Sequence, residues 1–241
     1  MTFPEDGIRV LDHGYIRLIN NMGSDLDIVQ AARVSFDKES SLEDDGSLSD
    51  NDEKLIDFLI RERHDSTLRH CVMSFEIYAP LMVARQYYKH AVASTHLDDQ
   101  MGWNESSRRY ITEKEQFYIP AVSEWRSAPD NRKQGSGEPV NTGTGAKCLQ
   151  RLRASVERGI RDYEDALKDG VAPEQARLLL PAYAMYVRWR WTASLNALMH
   201  FISLRVEKSA QYEIQQYALA VEKYVDEHYP VAMQSWRKHR V

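Results

Sequence analysis

The chain has 241 residues, 43% of them hydrophobic and 28% charged, a balance that suits an ordinary globular protein with a real core. Its formal net charge of −5, from 31 basic and 36 acidic side chains, speaks against long duplex nucleic acid as the main partner, because affinity there comes from neutralising many phosphates. No apolar run approaches the roughly 20 residues that cross a bilayer, so no membrane partner is expected.

In chain order, the first seven residues hold two acids and no apolar stretch, unlike a signal peptide, and a cytoplasmic location is expected. Residues 8–11 and 15–19 flank Asp12-His13-Gly14 and predict a β-hairpin. Ser24 and Asp25 are placed to cap a helix reaching Val34. Residues 37–54 hold eight acids and two lysines among Ser, Gly and Asn, the composition of a flexible, solvated loop. Residues 52–63 read as a helix with Leu55, Phe58 and Leu59 on one side. A strand follows at 70–78, and Pro80 then fits the first turn of a helix.

Residues 127–147 carry Pro129, Pro139, Gly135, Gly137, Gly143 and Gly145 and read as a second flexible connection. They lack the Gly-Lys-Ser/Thr of a phosphate loop. Cys148, Leu149, Leu152, Val156, Ile160, Tyr163 and Leu167 recur at steps of three and four, predicting a long amphipathic helix stopped by Gly170. Pro173 opens a short helix that ends before Pro181. Residues 183–192 alternate as a strand does, and 194–204 and 209–229 read as two helices. Strands come early and helices late, so the expected class is α+β: an antiparallel sheet packed with helices and a helical C-terminal part.

Cys71 and Cys148 lie far apart without metal-ligand spacing, which speaks against a disulfide framework and a zinc site; no metal is expected. Cys71 sits in an apolar run and reads as a small core residue, and Cys148 the same. The polar chemistry concentrates elsewhere. Gln86, Lys89 and His90 fall at i, i+3 and i+4 on one helix face, a spacing that by itself favours a solvated face. Asn104-Glu105-Ser106-Ser107-Arg108-Arg109-Tyr110 then packs an amide, a carboxylate, two hydroxyls and two guanidiniums together. Such a set can grip a phosphate, or it can be a charged loop with an Arg–Glu pair; composition balances the two.

Arg85-Gln86-Tyr87-Tyr88-Lys89-His90 followed by residues 104–110 resembles the R-Q-x-x-R-H-R and N-E-x-S-x-R-Y signature of the flavin-dependent thymidylate synthases, the ThyX family. Ala32-Arg33-Val34-Ser35-Phe36 is similar to that family's A-R-V-S segment, and His64-Asp65-Ser66-Thr67-Leu68-Arg69-His70 to its H-x-S/T-P-F-E-H. Trp191-Thr192, His200-Phe201, Leu204-Arg205 and residues 210–218 match in order and spacing. The resemblance covers most of the chain outside the two loops, and implies one ThyX-like catalytic domain over residues 1–241.

What it implies is a homotetramer with active sites shared between subunits, binding FAD, dUMP, 5,10-methylenetetrahydrofolate and NADPH. The flavin carries the redox chemistry while the protein positions partners and tunes charge. By motif position, Gln86, Lys89, Glu105, Ser106, Ser107, Arg108, Arg109, Arg177 and Arg205 contact dUMP. Arg205 is the catalytic arginine, favouring ionisation of the uracil N3. Ser66, Lys89, His90, Ala91, Asn196 and His200 fall at FAD positions. Ser107 is assigned to substrate contact, since no neighbouring base is there to activate it.

The chain departs from the signature around the flavin. Lys89 keeps the charge of the first arginine but not its fork, and Ala91 keeps neither. Thr67, Leu68 and Arg69 replace Pro, Phe and Glu, and Arg69 is the candidate replacement for a lost cation. Two other outcomes fit the same nucleotide site: hydroxymethylation of a pyrimidine nucleotide, and nucleotide binding without catalysis.

Overall fold

The structure, a computed structural model, describes residues 3–88, 102–105, 116–129 and 135–239. Among them, five strands form one antiparallel sheet: β1 (Ile8–Val10), β2 (Gly14–Met22), β3 (Val72–Pro80), β4 (Gly102–Glu105) and β5 (Tyr186–Ser194), in the order β1-β2-β3-β5-β4. The helices are α1 (Asp25–Arg33), α2 (Asp50–Arg61), α3 (Leu81–Tyr88), α4 (Thr142–Lys168), α5 (Pro173–Ala176), α6 (Leu195–Arg205), α7 (Tyr212–His228) and α8 (Pro230–His239). This is the expected α+β class, with helices dominating the C-terminal part.

Alternation along β3 and β5 sorts the two faces of the sheet. Met73, Phe75, Ile77, Trp189 and Trp191 point to one face and are fully buried or nearly so. Phe75 pairs in register with Trp191 and stacks on it at 6.0 Å between ring centroids. Helix α3 adds Tyr87, which stacks on Phe201 of α6 at 4.6 Å and meets Trp191 edge-on at 5.1 Å. On the other face, Tyr15, Tyr78, Tyr118 and Tyr186 form a second cluster, with Tyr78 and Tyr186 stacked at 4.7 Å. Gly14 opens β2 where the hairpin meets α7. A Cβ there would overlap the Tyr217 hydroxyl, which donates to the Tyr78 carbonyl at 2.7 Å.

Several boundaries differ from the sequence reading, for identifiable reasons. Helix α2 starts at Asp50, inside the segment read as a loop over 37–54. Ser49 caps it by accepting from the Asp52 amide at 3.3 Å, and the acids Asp50, Asp52 and Glu53 sit in the first turn, where the helix dipole favours them. Helix α4 starts at Thr142, inside the segment read as a connection over 127–147. Asn141 caps it by accepting from the Thr144 amide at 2.9 Å. Gly145 is a packing residue, since a Cβ there would overlap the Val122 carbonyl. Pro80 ends β3 in register with Tyr186 rather than opening α3.

Strand β4 and helix α8 were not read from the sequence. The Asp25 carboxylate caps α8 by accepting from the Val231 amide at 2.9 Å and the Ala232 amide at 3.0 Å. Burial pushes the Asp25 pKa up against those two bonds. Pro230 at the first turn and Arg237, Lys238 and His239 in the last were signals that could have placed this helix.

Helix α8 packs on α2 through Asp57, which accepts from Ser235 at 3.1 Å, Lys238 at 3.0 Å and His239 at 2.9 Å. Burial opposes ionisation of this carboxylate, but the bonds from Lys238, His239 and Ser235 outweigh it and hold the pKa at about 2. An unfolded aspartate titrates near ~3.9. The contribution of Asp57 is therefore present above that value and lost as pH falls through the folded pKa. Melting temperature measured against pH should fall less steeply between about pH 4 and 2 in Asp57→Asn than in the parent chain.

Candidate active site

Helix α3 presents Gln86 half-buried, one residue before the buried Tyr87 that ties the helix to α6. The Gln86 Nε2 donates to Gln211 Oε1 at 2.6 Å. Gln211 sits at the N-cap position of α7 without a side-chain capping bond, and its own Nε2 donates to Glu213 Oε2 at 2.7 Å. A carboxylate only accepts, so Glu213 turns the Gln211 amide with its carbonyl toward Gln86. That in turn holds the Gln86 amide in one orientation. Gln211 and Glu213 belong to a matched block, yet nothing in their spacing signals this role; only the contact across 125 residues reveals it.

Gln211 and Glu213 also line a cavity of about 350 Å³ with Met82, Tyr118, Trp125 and Tyr212. The Tyr118 hydroxyl and the Trp125 Nε1 are buried with no hydrogen-bond partner among the described residues. Burial, followed by the nearby Glu213, pushes the Tyr118 pKa far up, so this group is a neutral donor.

A second cavity, of about 270 Å³, opens between the end of α2, the 3-10 turn Thr67–His70, α6 and α8. Asn196, His200 and Ser203 line it from α6, Arg63 and Asp65 from the segment after α2, and His239 from α8. Leu68, Met199 and Trp236 supply apolar surface. Ser66, next to Asp65, is exposed at the N-terminus of the 3-10 turn. Three of the residues expected around FAD (Ser66, Asn196, His200) thus come from elements that meet here. A mixture of amide, hydroxyl, guanidinium and apolar surface fits a cofactor that joins flat rings to phosphates. Its size suits part of a dinucleotide, not the whole. Arg63, Trp236 and His239 were not expected from the sequence.

Arg205 is the last residue of α6 and half-buried; burial pushes its pKa down from the usual guanidinium range. Arg177 sits on the 3-10 turn Arg177–Leu179 beside α4 and α5, its Nε donating to the Pro173 carbonyl at 3.3 Å. Gln86, Arg177 and Arg205 line neither cavity, so the expected dUMP residues are not gathered in one described pocket. Glu105 ends β4, its backbone in register with Trp189, and Asn104 pairs with Arg190. The start of the Asn104-Glu105 motif is therefore strand rather than loop. Lys89, His90, Ala91, Ser106, Ser107, Arg108 and Arg109 lie outside the described residues.

Cys71 is fully buried, and burial, with Asp27 and Asp25 nearby, pushes its thiol pKa up to about 12. That is the opposite of an activated nucleophile. Among the described residues no helix is long and apolar enough to cross a membrane.

The profile of the thymidylate synthase complementing proteins matches residues 17–231. The chain belongs to that family. It is 35% identical over 235 residues to a flavin-dependent thymidylate synthase of Thermotoga neapolitana, covering 96% of this chain and 94% of that one. With the protein of the same name from Thermus thermophilus it is 37% identical over 232 residues, covering 96% of this chain and 78% of the other. Among solved structures it is similar to a UMP/dUMP methylase, PolB, from Streptomyces cacaoi bound with 5-Br dUMP. That match has a TM-score of 0.78 and 28% identity, over 96% of this chain and 97% of the other.

Proposed function

We propose that the chain is a flavin-dependent thymidylate synthase, forming dTMP from dUMP with a carbon from 5,10-methylenetetrahydrofolate and reducing equivalents passed from NADPH through FAD. The observation that carries the reading is the match to relatives of that name along almost the whole chain. When bound, FAD supplies the hydride that completes the methyl group.

The roles assigned to the chain's own residues follow the motif positions. Gln86, Glu105, Ser106, Ser107, Arg108, Arg109 and Arg177 are assigned to the nucleotide, Lys89 to both nucleotide and flavin, and Arg205 to stabilising the pyrimidine as an anion. Ser66, His90, Ala91, Asn196 and His200 are assigned to the flavin. The position of Arg177 away from both cavities supports a site completed by a neighbouring subunit, in a homotetramer. So do the exposed apolar residues Val34, Phe36, Leu178 and Tyr183, 65–84% accessible in the isolated chain. The run of one core cluster from Val10 to Met233 supports one catalytic domain.

The Gln86–Gln211–Glu213 chain bears on nucleotide binding. In Glu213→Gln the new amide can donate as well as accept, and Gln86 loses its fixed orientation. The KM for dUMP should rise about tenfold, the worth of one hydrogen bond to a charged or well-ordered group, with kcat and flavin content nearly unchanged. Glu213→Asp should recover part of the loss. An unaltered KM in Glu213→Gln would remove the chain from the nucleotide site.

The reading as a whole is tested by rescue of a thymidine-requiring host, together with the colour of the purified protein. A yellow protein and growth without thymidine are expected. A colourless protein that takes up no FAD and never rescues would overturn the reading.

A further inference from the structure

Arg63 lies two residues beyond the end of α2, with a φ of +57°. The His64 amide donates to the Leu59 carbonyl at 2.8 Å and the Arg63 amide to Ile60 at 3.2 Å, closing the helix end. This is the left-handed position where glycine is the favoured residue, because a Cβ there meets the neighbouring backbone. An arginine at such a site carries strain that glycine would relieve, and strain of this kind gathers where a side chain has work to do.

The Arg63 side chain reaches the 270 Å³ cavity shared with Asn196, His200 and Ser203. Arg61 nearby pairs with Glu62 at 2.9 Å and Asp57 at 3.7 Å, whereas Arg63 has no ion pair among the described residues. His239, on the opposite wall, is already held by Asp57 at 2.9 Å. Asp65 is the acid on the same rim, able to accept from a sugar hydroxyl. Arg69, the cation first considered as a replacement near the flavin, does not line this cavity.

We propose that Arg63 is an anion ligand for the diphosphate of the flavin dinucleotide, supplying at the end of α2 a guanidinium that Ala91 does not supply. The inference rests on the flavin reading above. The guanidinium fork matches phosphate oxygens bidentately, with the Asn196 amide in the same cavity as a neutral donor.

The test compares FAD with riboflavin, which has the same ring system and no phosphate. Flavin-stripped full-length protein is titrated with each by quenching of flavin fluorescence. In Arg63→Gly the affinity for FAD should fall about tenfold, the low end for a charge-assisted bond, while that for riboflavin stays unchanged. The melting temperature of the flavin-free variant should equal or exceed the parent's, because glycine relaxes the left-handed turn; damage to the fold cannot produce that pair of results. Arg63→Lys should recover part of the FAD affinity. Equal losses for FAD and riboflavin, or no loss for either, would overturn the assignment. Parent protein that takes up no FAD would sink it together with the functional reading; parent uptake with an unaltered Arg63→Gly sinks the assignment alone.

Discussion

Arg205→Ala should lower turnover of dUMP by about 10²–10³-fold while leaving the flavin bound, the effect of deleting one donor aimed at developing charge. The residue closes α6 one turn beyond Phe201, so its backbone is fixed by the Phe201–Tyr87–Trp191 packing. Half-burial thins the water around the guanidinium and lowers its pKa, yet an arginine stays charged at neutral pH. A fixed, partly dried charge stabilises an anion better than one in bulk water. Measured kcat and the ratio of bound flavin to protein check this. If flavin is lost along with turnover, Arg205 belongs to the cofactor and not to the pyrimidine.

The second large effect is on stability. Trp191 is 1% exposed and touches Phe75 across the sheet, Tyr87 from α3 and Phe201 from α6. Trp191→Ala removes the piece that joins three elements and leaves a cavity that rigid neighbours cannot fill. A loss of about 3–5 kcal/mol is expected. At roughly 2–4 °C per kcal/mol for a chain of this size, the melting temperature should drop by about 10 °C. A drop of only a degree or two would mean the neighbouring rings repack, and the aromatic cluster would lose its place as the joint between α3 and α6.

The sheet and the long helices were readable because their signals are local. The alternation of Trp189, Arg190, Trp191 and Thr192, and the three-and-four steps from Cys148 to Leu167, need no tertiary information. The start of α4 was missed because Gly143 and Gly145 lower helix propensity, and the reason for Gly145, close approach to Val122, is tertiary. Strand β4 was missed because four residues carry little periodic signal and its partner β5 is distant in sequence.

At the site, a resemblance of ordered motifs pointed to Asn196, His200 and Arg205, which neither spacing nor composition would have raised above ordinary helical residues. Arg63 was beyond reach of either. In sequence it is one more charge in Arg61-Glu62-Arg63-His64, and its left-handed backbone and the cavity beside it exist only in three dimensions. Gln211 and Glu213 were hidden for the same reason.

Formation of dTMP by this chain can be read out in a single reaction. Purified protein is given dUMP, 5,10-methylenetetrahydrofolate and NADPH, with UMP in a parallel reaction because the solved neighbour is a UMP/dUMP methylase. The nucleotide product is then identified by mass. The expected product is dTMP from dUMP, dependent on FAD and on NADPH. A hydroxymethylated nucleotide, or dUMP returned unchanged by protein that holds its flavin, would contradict it.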